Sequence, residues 1–322
     1  MSLPNRPRYA ARLNAFKAPG AGTAADIIAR AGTVGGLDAA DLNYPDHFAG
    51  ETPQSLSRRL GDAGLALNGL AMRYYTEPSF RLGAFTHPDP SVRRAAIDLT
   101  KRGIDAGLEM GGRLMTLWMG QDGFDYAFQL DYARAWDATI AALAEVCDHA
   151  REMDIALEYK PNEPRAFALM PDIGTTLLAV REAARPNLGV TLDFAHVLYA
   201  GEMPAHSAAL VARHSRLMGL HLNDGYAGRD DGLIAGSVHP VQTVELLVEC
   251  RRQGYDGVIY FDTFPDQGGL DPVAEARASL ALIERLRTVA DGLAGDPALA
   301  HAIARQDAAR ATRIVAAALY GA

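Results

Sequence analysis

Residues 155–161 read IALEYKP. Successive side chains of a strand point to opposite sides, so Ile155, Leu157 and Tyr159 share one face while Glu158 and Lys160 share the other. A strand that offers apolar residues to a helix layer and charges to its other side fits the wall of a barrel, with the charges pointing inward. Pro161 and Pro164 close the segment.

Working outward, seven further short apolar segments recur at 12–17 (RLNAFK), 37–44 (LDAADLNY), 65–75 (LALNGLAMRYY), 113–120 (RLMTLWMG), 188–194 (LGVTLDF), 217–224 (LMGLHLND) and 258–265 (VIYFDTFP). Helical patterns separate them. Residues 132–152 carry apolar positions repeating at three and four. Residues 239–253 start near Pro240 and stop at Gly254, and residues 272–288 are also helical in pattern. Eight such alternations predict an α/β fold of the (β/α)8 TIM-barrel type. An extra alanine-rich C-terminal helix is expected over about 297–319. No linker or low-complexity tract divides the chain, which predicts one domain over 1–322, with the barrel at about 10–290 and a helical extension at about 291–322. A doubly wound open sheet is the weaker alternative, because no G-x-G-x-x-G loop follows the first segment.

The chain has 49% hydrophobic and 22% charged residues, the balance of a globular protein with a sizeable core rather than a disordered one. A net charge of -8 argues against sequence-independent nucleic-acid binding. Cys147 and Cys250 lack metal-ligand spacing and are expected as core thiols in a reducing compartment. The N-terminus MSLPNRPRYAAR has no signal-like apolar region and no stretch nears 18 apolar residues, so the expectation is a cytoplasmic protein without membrane association.

The alternation in the last four segments decides the chemistry. Glu158, Asp193, His221 and Asp262 all fall on the inward face, each near the C-terminal end of its strand, where barrels of this type hold their sites. Three carboxylates buried together repel one another and lose hydration, a cost of many kcal/mol unless a cation offsets it. A divalent ion is the simplest occupant. Oxygen ligands with one imidazole favour Mn2+ or Co2+ over Mg2+, and the absence of a Cys or multi-His set argues against structural zinc. His196, three residues after Asp193, is a candidate for a second ion, with Asp230 or Asp231 in the loop NDGYAGRDDG completing it. Lys160 is placed to donate to a substrate oxygen.

These residues carry a resemblance. LEYKPNEP (157–164) is similar to the L-E-P-K-P-x-x-P motif of the xylose-isomerase-like barrels, with Tyr159 in place of a proline. TLDFAHVLYAG (191–201), LWMGQDGFDY (117–126) and AFTHP (84–88) resemble other segments of that superfamily. Lys160, the HLND of 221–224, the acidic DDG and YFDTFP look most like L-rhamnose isomerases. The resemblance implies one ion held by Glu158, Asp193, His221 and Asp262, with Asp193 bridging to a second held by His196 and Asp230 or Asp231. It also implies Mn2+ dependence, one or two ions per subunit, a sugar substrate, and a homodimer or homotetramer.

The expected function is metal-dependent interconversion of an aldose and a ketose, with an L-rhamnose-like sugar first, by a 1,2-hydride shift. Lys160, His87, Glu158 and Asp262 form the expected catalytic set, His87 opening the sugar ring with Asp89 beside it. Asn14, Phe16, Trp118 and His196 are the expected substrate contacts. Trp118 forms a water-excluding wall, and Phe16, Tyr44, Phe48 and Met72 are candidates to receive a sugar methyl. Two alternatives stay open: epimerisation or C-glycoside cleavage through proton abstraction beside a carbonyl, and a sugar-binding barrel without catalysis. The closing Asp262, where ketose 3-epimerases carry a glutamate, leans toward the isomerase.

Overall fold

The computed structural model describes residues 7–17 and 22–321. Residues 1–6, on which the N-terminal expectation partly rests, lie outside the described residues. Eight parallel strands close into a barrel. They are β1 (Tyr9–Arg12), β2 (Ala39–Tyr44), β3 (Ala66–Met72), β4 (Leu114–Trp118), β5 (Asp154–Glu158), β6 (Leu188–Asp193), β7 (Leu217–Leu222) and β8 (Ile259–Phe261). β8 pairs back onto β1, with Tyr9 opposite Ile259 and Ala11 opposite Phe261.

The outward faces of the strands make the core with the helices. Ile155, Leu157, Val190, Leu192, Leu220 and Leu222 are all within 1% of complete burial. Burying side chains of this size contributes roughly 1.5–3 kcal/mol each. Inside the barrel, away from its mouth, some inward positions are small, among them Ala10, Ala39 and Gly219. Ala10, Ala39, Val258 and Tyr260 form an inner cluster of their own. At Gly219 an added Cβ would lie 2.5 Å from Thr191 Oγ1, so this inward position of β7 excludes any larger residue.

Helix boundaries follow end chemistry. The helix Tyr132–His149 starts where the Asp131 side chain accepts from Arg134 N, and Pro240–Arg252 begins on its proline. Two expectations require correction. The first strand is Tyr9–Arg12, and Leu13–Phe16 is a 3-10 turn whose four residues are all buried. The C-terminal extension is two helices, Pro297–Ala304 and Ala308–Tyr320. Gln306 takes a left-handed φ of 54°, and Asp307 caps the second helix by accepting from Arg310 N. Both cysteines are free and buried. Among the described residues, no helix is long and apolar enough to cross a membrane.

Candidate metal centre and active site

The strand register carries the four inward residues to one point. Asp193 sits opposite His221 across β6 and β7, and Glu158 sits opposite Thr191, two residues before Asp193. His221 is opposite Tyr260, two residues before Asp262. This stagger is the barrel's shear, and it swings Glu158 toward β7, where its Oε1 lies 3.0 Å from His221 Nδ1. One ligand atom from each of Glu158, Asp193, His221 and Asp262 lies within 4.8 Å of all the others. Atoms sharing one ion at bond lengths of about 2.0–2.6 Å can be separated by up to twice that length, so the spacing fits a shared divalent cation.

Supporting bonds fix the ligands. Asn223 Nδ2 donates to Asp193 Oδ1 and Oδ2 at 3.2 and 3.1 Å and to the Asp262 carbonyl at 3.1 Å. Its Oδ1 accepts from Ala195 N at 2.8 Å. Asp193 also caps the short helix Phe194–Tyr199 by accepting from His196 N, and this turn delivers His196 to the site. His196 Nε2 lies 3.0 Å from Asp230 Oδ2, while its Nδ1 lies 3.8 Å from Glu158 Oε1. Lys160 Nζ donates to the same Asp230 Oδ2 at 3.0 Å and pairs with Glu163 at 2.8 Å.

The electrostatics show a site short of positive charge. Burial pushes Asp193 up, and Asp230, Asp262 and Glu158 add to this against His196, bringing it to about 7. Burial would lower His221, yet Glu158, Asp262 and Asp193 raise it to about 9. Burial likewise opposes a proton on His196, but Asp193, Asp230 and Glu158 lift it to about 10. Burial would raise Glu158 as well, and the His221 charge and hydrogen bond overcome it, leaving Glu158 below the ordinary range. The carboxylates draw protons onto both imidazoles, the same demand that a divalent cation meets. His196 Nδ1, Asp230 Oδ1 and Asp262 Oδ1 are buried with no hydrogen-bond partner among the described residues. Three such lone-pair atoms beside one cluster suit a metal-binding donor set.

These groups line a cavity of about 330 Å3 at the C-terminal end of the barrel, together with Trp118, Arg12, Asp41, Asn43, Met72 and Arg73. Trp118 faces the cavity with Lys160 Nζ 5.4 Å from its ring centroid. The other expected residues lie elsewhere. Asp231 turns away from the cluster, accepting from Tyr226 N at 2.8 Å and Arg229 Nε at 2.7 Å, so it braces its own loop. Asp224 holds the following loop through Val238 N and His239 N, each at 2.9 Å. His87 lines a separate cavity with Leu82, Arg93 and Gln129, and its Nδ1 accepts from Asp89 N at 3.1 Å. Asp89 caps the helix Pro90–Glu109. The segment around His87 is set by buried Asp122, whose Oδ1 accepts from Ala84 N, Thr86 N and Thr86 Oγ1 at 3.1, 2.7 and 2.7 Å. Phe16 is a core residue at 1% exposure, and Tyr44 and Phe48 pack edge to face on each other, so of the expected methyl-binding set only Met72 reaches the cavity. Asn14 lies behind the cavity wall, bonded to His47 Nε2 at 2.9 Å.

The first half of the barrel also supplies residues that the reading of the last four strands passed over. Arg12 Nε is 3.6 Å from Asp262 Oδ1, and its Nη1 pairs with Asp266 at 2.9 Å. Burial raises Asp41 to about 6, against the opposing charge of His221 and a 2.7 Å bond from Asn68. The same alternation finds them: Arg12 lies two residues after Ala10, and Asp41 and Asn43 two and four after Ala39. Tyr159, the departure from the proline of the motif, points into the helix layer, where its hydroxyl donates to Glu202. Glu202 in turn accepts from Ile173 N at 3.1 Å, so the tyrosine ties β5 to the next helix start.

A barrel with a carboxylate and histidine clamp at its C-terminal mouth defines the class, and sequence comparison agrees. The chain belongs to the Xylose isomerase-like TIM barrel family, whose model matches residues 27–286. It is similar to xylose isomerase from Thermus thermophilus, 30% identical over 211 residues that cover 64% of this chain and 54% of that protein. The match therefore spans about half the length of that relative. Among solved structures, L-ribulose 3-epimerase superposes with a TM-score of 0.70 at 16% identity, covering 91% of this chain and 99% of that one. D-allulose 3-epimerase from Methylomonas sp., in complex with D-allulose, gives 0.67 at 18% identity, covering 88% and 99%. At these identities the structural likeness establishes the fold alone.

Proposed function

We propose that the protein is a divalent-metal-dependent sugar isomerase that interconverts an aldose and a ketose. The observation that carries this is a second pole beside the quartet: Lys160 and His196 both meet Asp230 Oδ2 at 3.0 Å, next to Glu158 and Asp193. Adjacent carbonyl and hydroxyl oxygens of an open-chain sugar present two polar atoms side by side, and this site offers two adjacent polar poles to receive them. Glu158, Asp193, His221 and Asp262 would hold Mn2+ or Co2+, with His196 and Asp230 available to a second ion, and the bound ion supplies positive charge to the sugar oxygens.

The chain's own residues do the rest. Lys160, kept protonated by Asp230 and Glu163 against the effect of burial, donates a hydrogen bond to the carbonyl oxygen. Trp118 covers that end of the sugar with an apolar surface and keeps water from the two reacting carbons. Hydrogen then moves with its electron pair from C2 to C1 without entering solvent, while the C2 hydroxyl gives up its proton to become the carbonyl and the C1 oxygen gains one to become a hydroxyl.

Ketose 3-epimerisation is the rival, suggested by the similar structures. It needs a carboxylate free to take a proton on each side of the sugar, and here Asp262 is the shorter acid and lies beside Arg12. An aldose deuterated at C2 separates the two. Retention of the label at C1 of the ketose is the expected result. A labelled aldose left unchanged, together with solvent deuterium at C3 of ketose incubated in D2O, would replace this reading with the epimerase. Label washed into water would keep isomerisation but replace the hydride shift with proton transfer.

A further inference from the structure

Four lysine and arginine side chains line the cavity, and three of them are paired with acids. Arg12 pairs with Asp262 and Asp266, Lys160 with Glu163 and Asp230, and Arg229 with Asp231. Arg73, immediately after β3, has no carboxylate partner within ion-pair distance among the described residues. Its guanidinium lies 4.8 Å from the Tyr75 ring centroid. With the Asn43 amide oriented to satisfy its neighbours, Asn43 Oδ1 accepts from Arg73 Nε and Nη2 at 3.2 Å each and from Asn14 Nδ2 at 2.8 Å. Asn14 is itself fixed by His47, and His47 by Asn43 N at 2.9 Å. One edge of the planar fork is thus held by a buried relay, leaving Nη1 uncommitted.

The position matters as much as the charge. Lys160 lies over Trp118, Trp118 meets Tyr75 edge to face at 5.3 Å, and Tyr75 lies under Arg73. These contacts form a continuous wall running from the metal centre on β5–β8 to Arg73 on the opposite side of the mouth. The one carboxyl that described residues of β1–β4 present to the cavity, Asp41, is engaged by Asn68 at 2.7 Å. Where a methyl-binding pocket was expected at this end, the structure has a guanidinium.

We infer that Arg73 is the binding residue for an anionic group at the end of the sugar remote from its carbonyl. The inference rests on the reading that an open-chain sugar occupies this cavity, and it names the substrate class as a sugar acid or sugar phosphate whose charge lies at the terminal carbon. A guanidinium fork suits either anion, since each offers two oxygens to parallel N–H groups.

The test is calorimetric titration of the Mn2+-loaded protein with a hexuronate, with the corresponding aldose 6-phosphate and with the neutral parent aldose, repeated on Arg73→Gln. An anionic sugar should bind the wild-type protein more tightly than the neutral aldose. Arg73→Gln should weaken the anionic sugar by about ten- to hundredfold and change the neutral one by less than about twofold. Whichever of the uronate and the phosphate shows the loss identifies the anion. Arg73→Lys keeps the charge without the fork and should recover part of the affinity, which also guards against a variant that fails to fold. Equal binding of charged and neutral sugars by the wild type, or equal losses of both in Arg73→Gln, overturns the inference. Because the readout is binding, it stands or falls separately from the C2-label experiment, which tests isomerisation.

Discussion

The two halves of the barrel mouth are built from the same alternation and hold opposite charge. Strands β5–β8 deliver Glu158, Asp193, His221 and Asp262 to one point, whereas β1–β4 and the residues after them bring Arg12, Asn43, Arg73 and Trp118 to the facing wall. On the acidic side the carboxylates crowd so closely that both imidazoles are held above the ordinary histidine range. On the other side the charges are spread out, with Arg73 held by Asn43 and Tyr75 and Arg12 by Asp262 and Asp266. On the proposed reading, the difference assigns the crowded side to an ion and the spread-out side to the body of a ligand.

The sharpest way to break this comparison is Glu158→Gln. It removes a ligand charge and the partner of His221, and should cut metal affinity beyond about a hundredfold, with turnover falling alongside; metal analysis after gel filtration and steady-state assay check this. Full metal content in that variant would refute the assignment of the acidic half. Next comes metal removal. Restoring Mn2+ to a stripped sample at about 100 times its dissociation constant should stabilise the wild-type protein by about 2.7 kcal/mol in thermal or denaturant unfolding. Arg73→Gln should show the same gain, and Glu158→Gln should show none.

His47, behind the basic wall, gives a somewhat smaller effect through pH. Burial, then the charges of Arg73, Lys17 and Arg12, hold its folded-state value down to about 3, against an ordinary 6.5. Between those values the unfolded chain binds a proton that the folded protein refuses, so this contribution to stability is lost as pH falls below 6.5. The slope is about 1.4 kcal/mol per pH unit, or roughly 2 kcal/mol by pH 5. Unfolding midpoints measured from pH 7 to 5 should drop less steeply in His47→Gln; an unchanged slope would remove His47 from the account. The smallest effect is expected from Asp231→Asn. Its partner Arg229 is exposed and its own contacts brace a loop, so KM should stay within about threefold and stability within about 1 kcal/mol. A large loss of metal there would return Asp231 to the acidic half.

Legibility differed by region for a physical reason. In β5–β7 Glu158, Asp193 and His221 each stand between apolar or aromatic outward residues, so the period of two was plain in IALEYKP and LGVTLDF. In β1 the strand Tyr9–Arg12 contains two alanines and no branched residue, and the buried run Leu13–Phe16 looked more strand-like than the strand itself. Misplacing it hid Arg12. Asp230 and Asp231 are neighbours of one chemistry in one loop. Lys160 and His196 select the first of them, and no local pattern distinguishes the two.

By itself the sequence determined the barrel and the inward set Glu158, Asp193, His221 and Asp262, because side-chain alternation is a property of the extended backbone and needs no partner strand. The tertiary structure decided which distant residues share the cavity. Barrel closure and shear bring Arg12 to Asp262 and set Arg73 across from the acidic cluster, while loop packing turns Asp230 inward and carries His87 away. Those outcomes depend on register and close packing between segments far apart in the chain, where local periodicity carries no information.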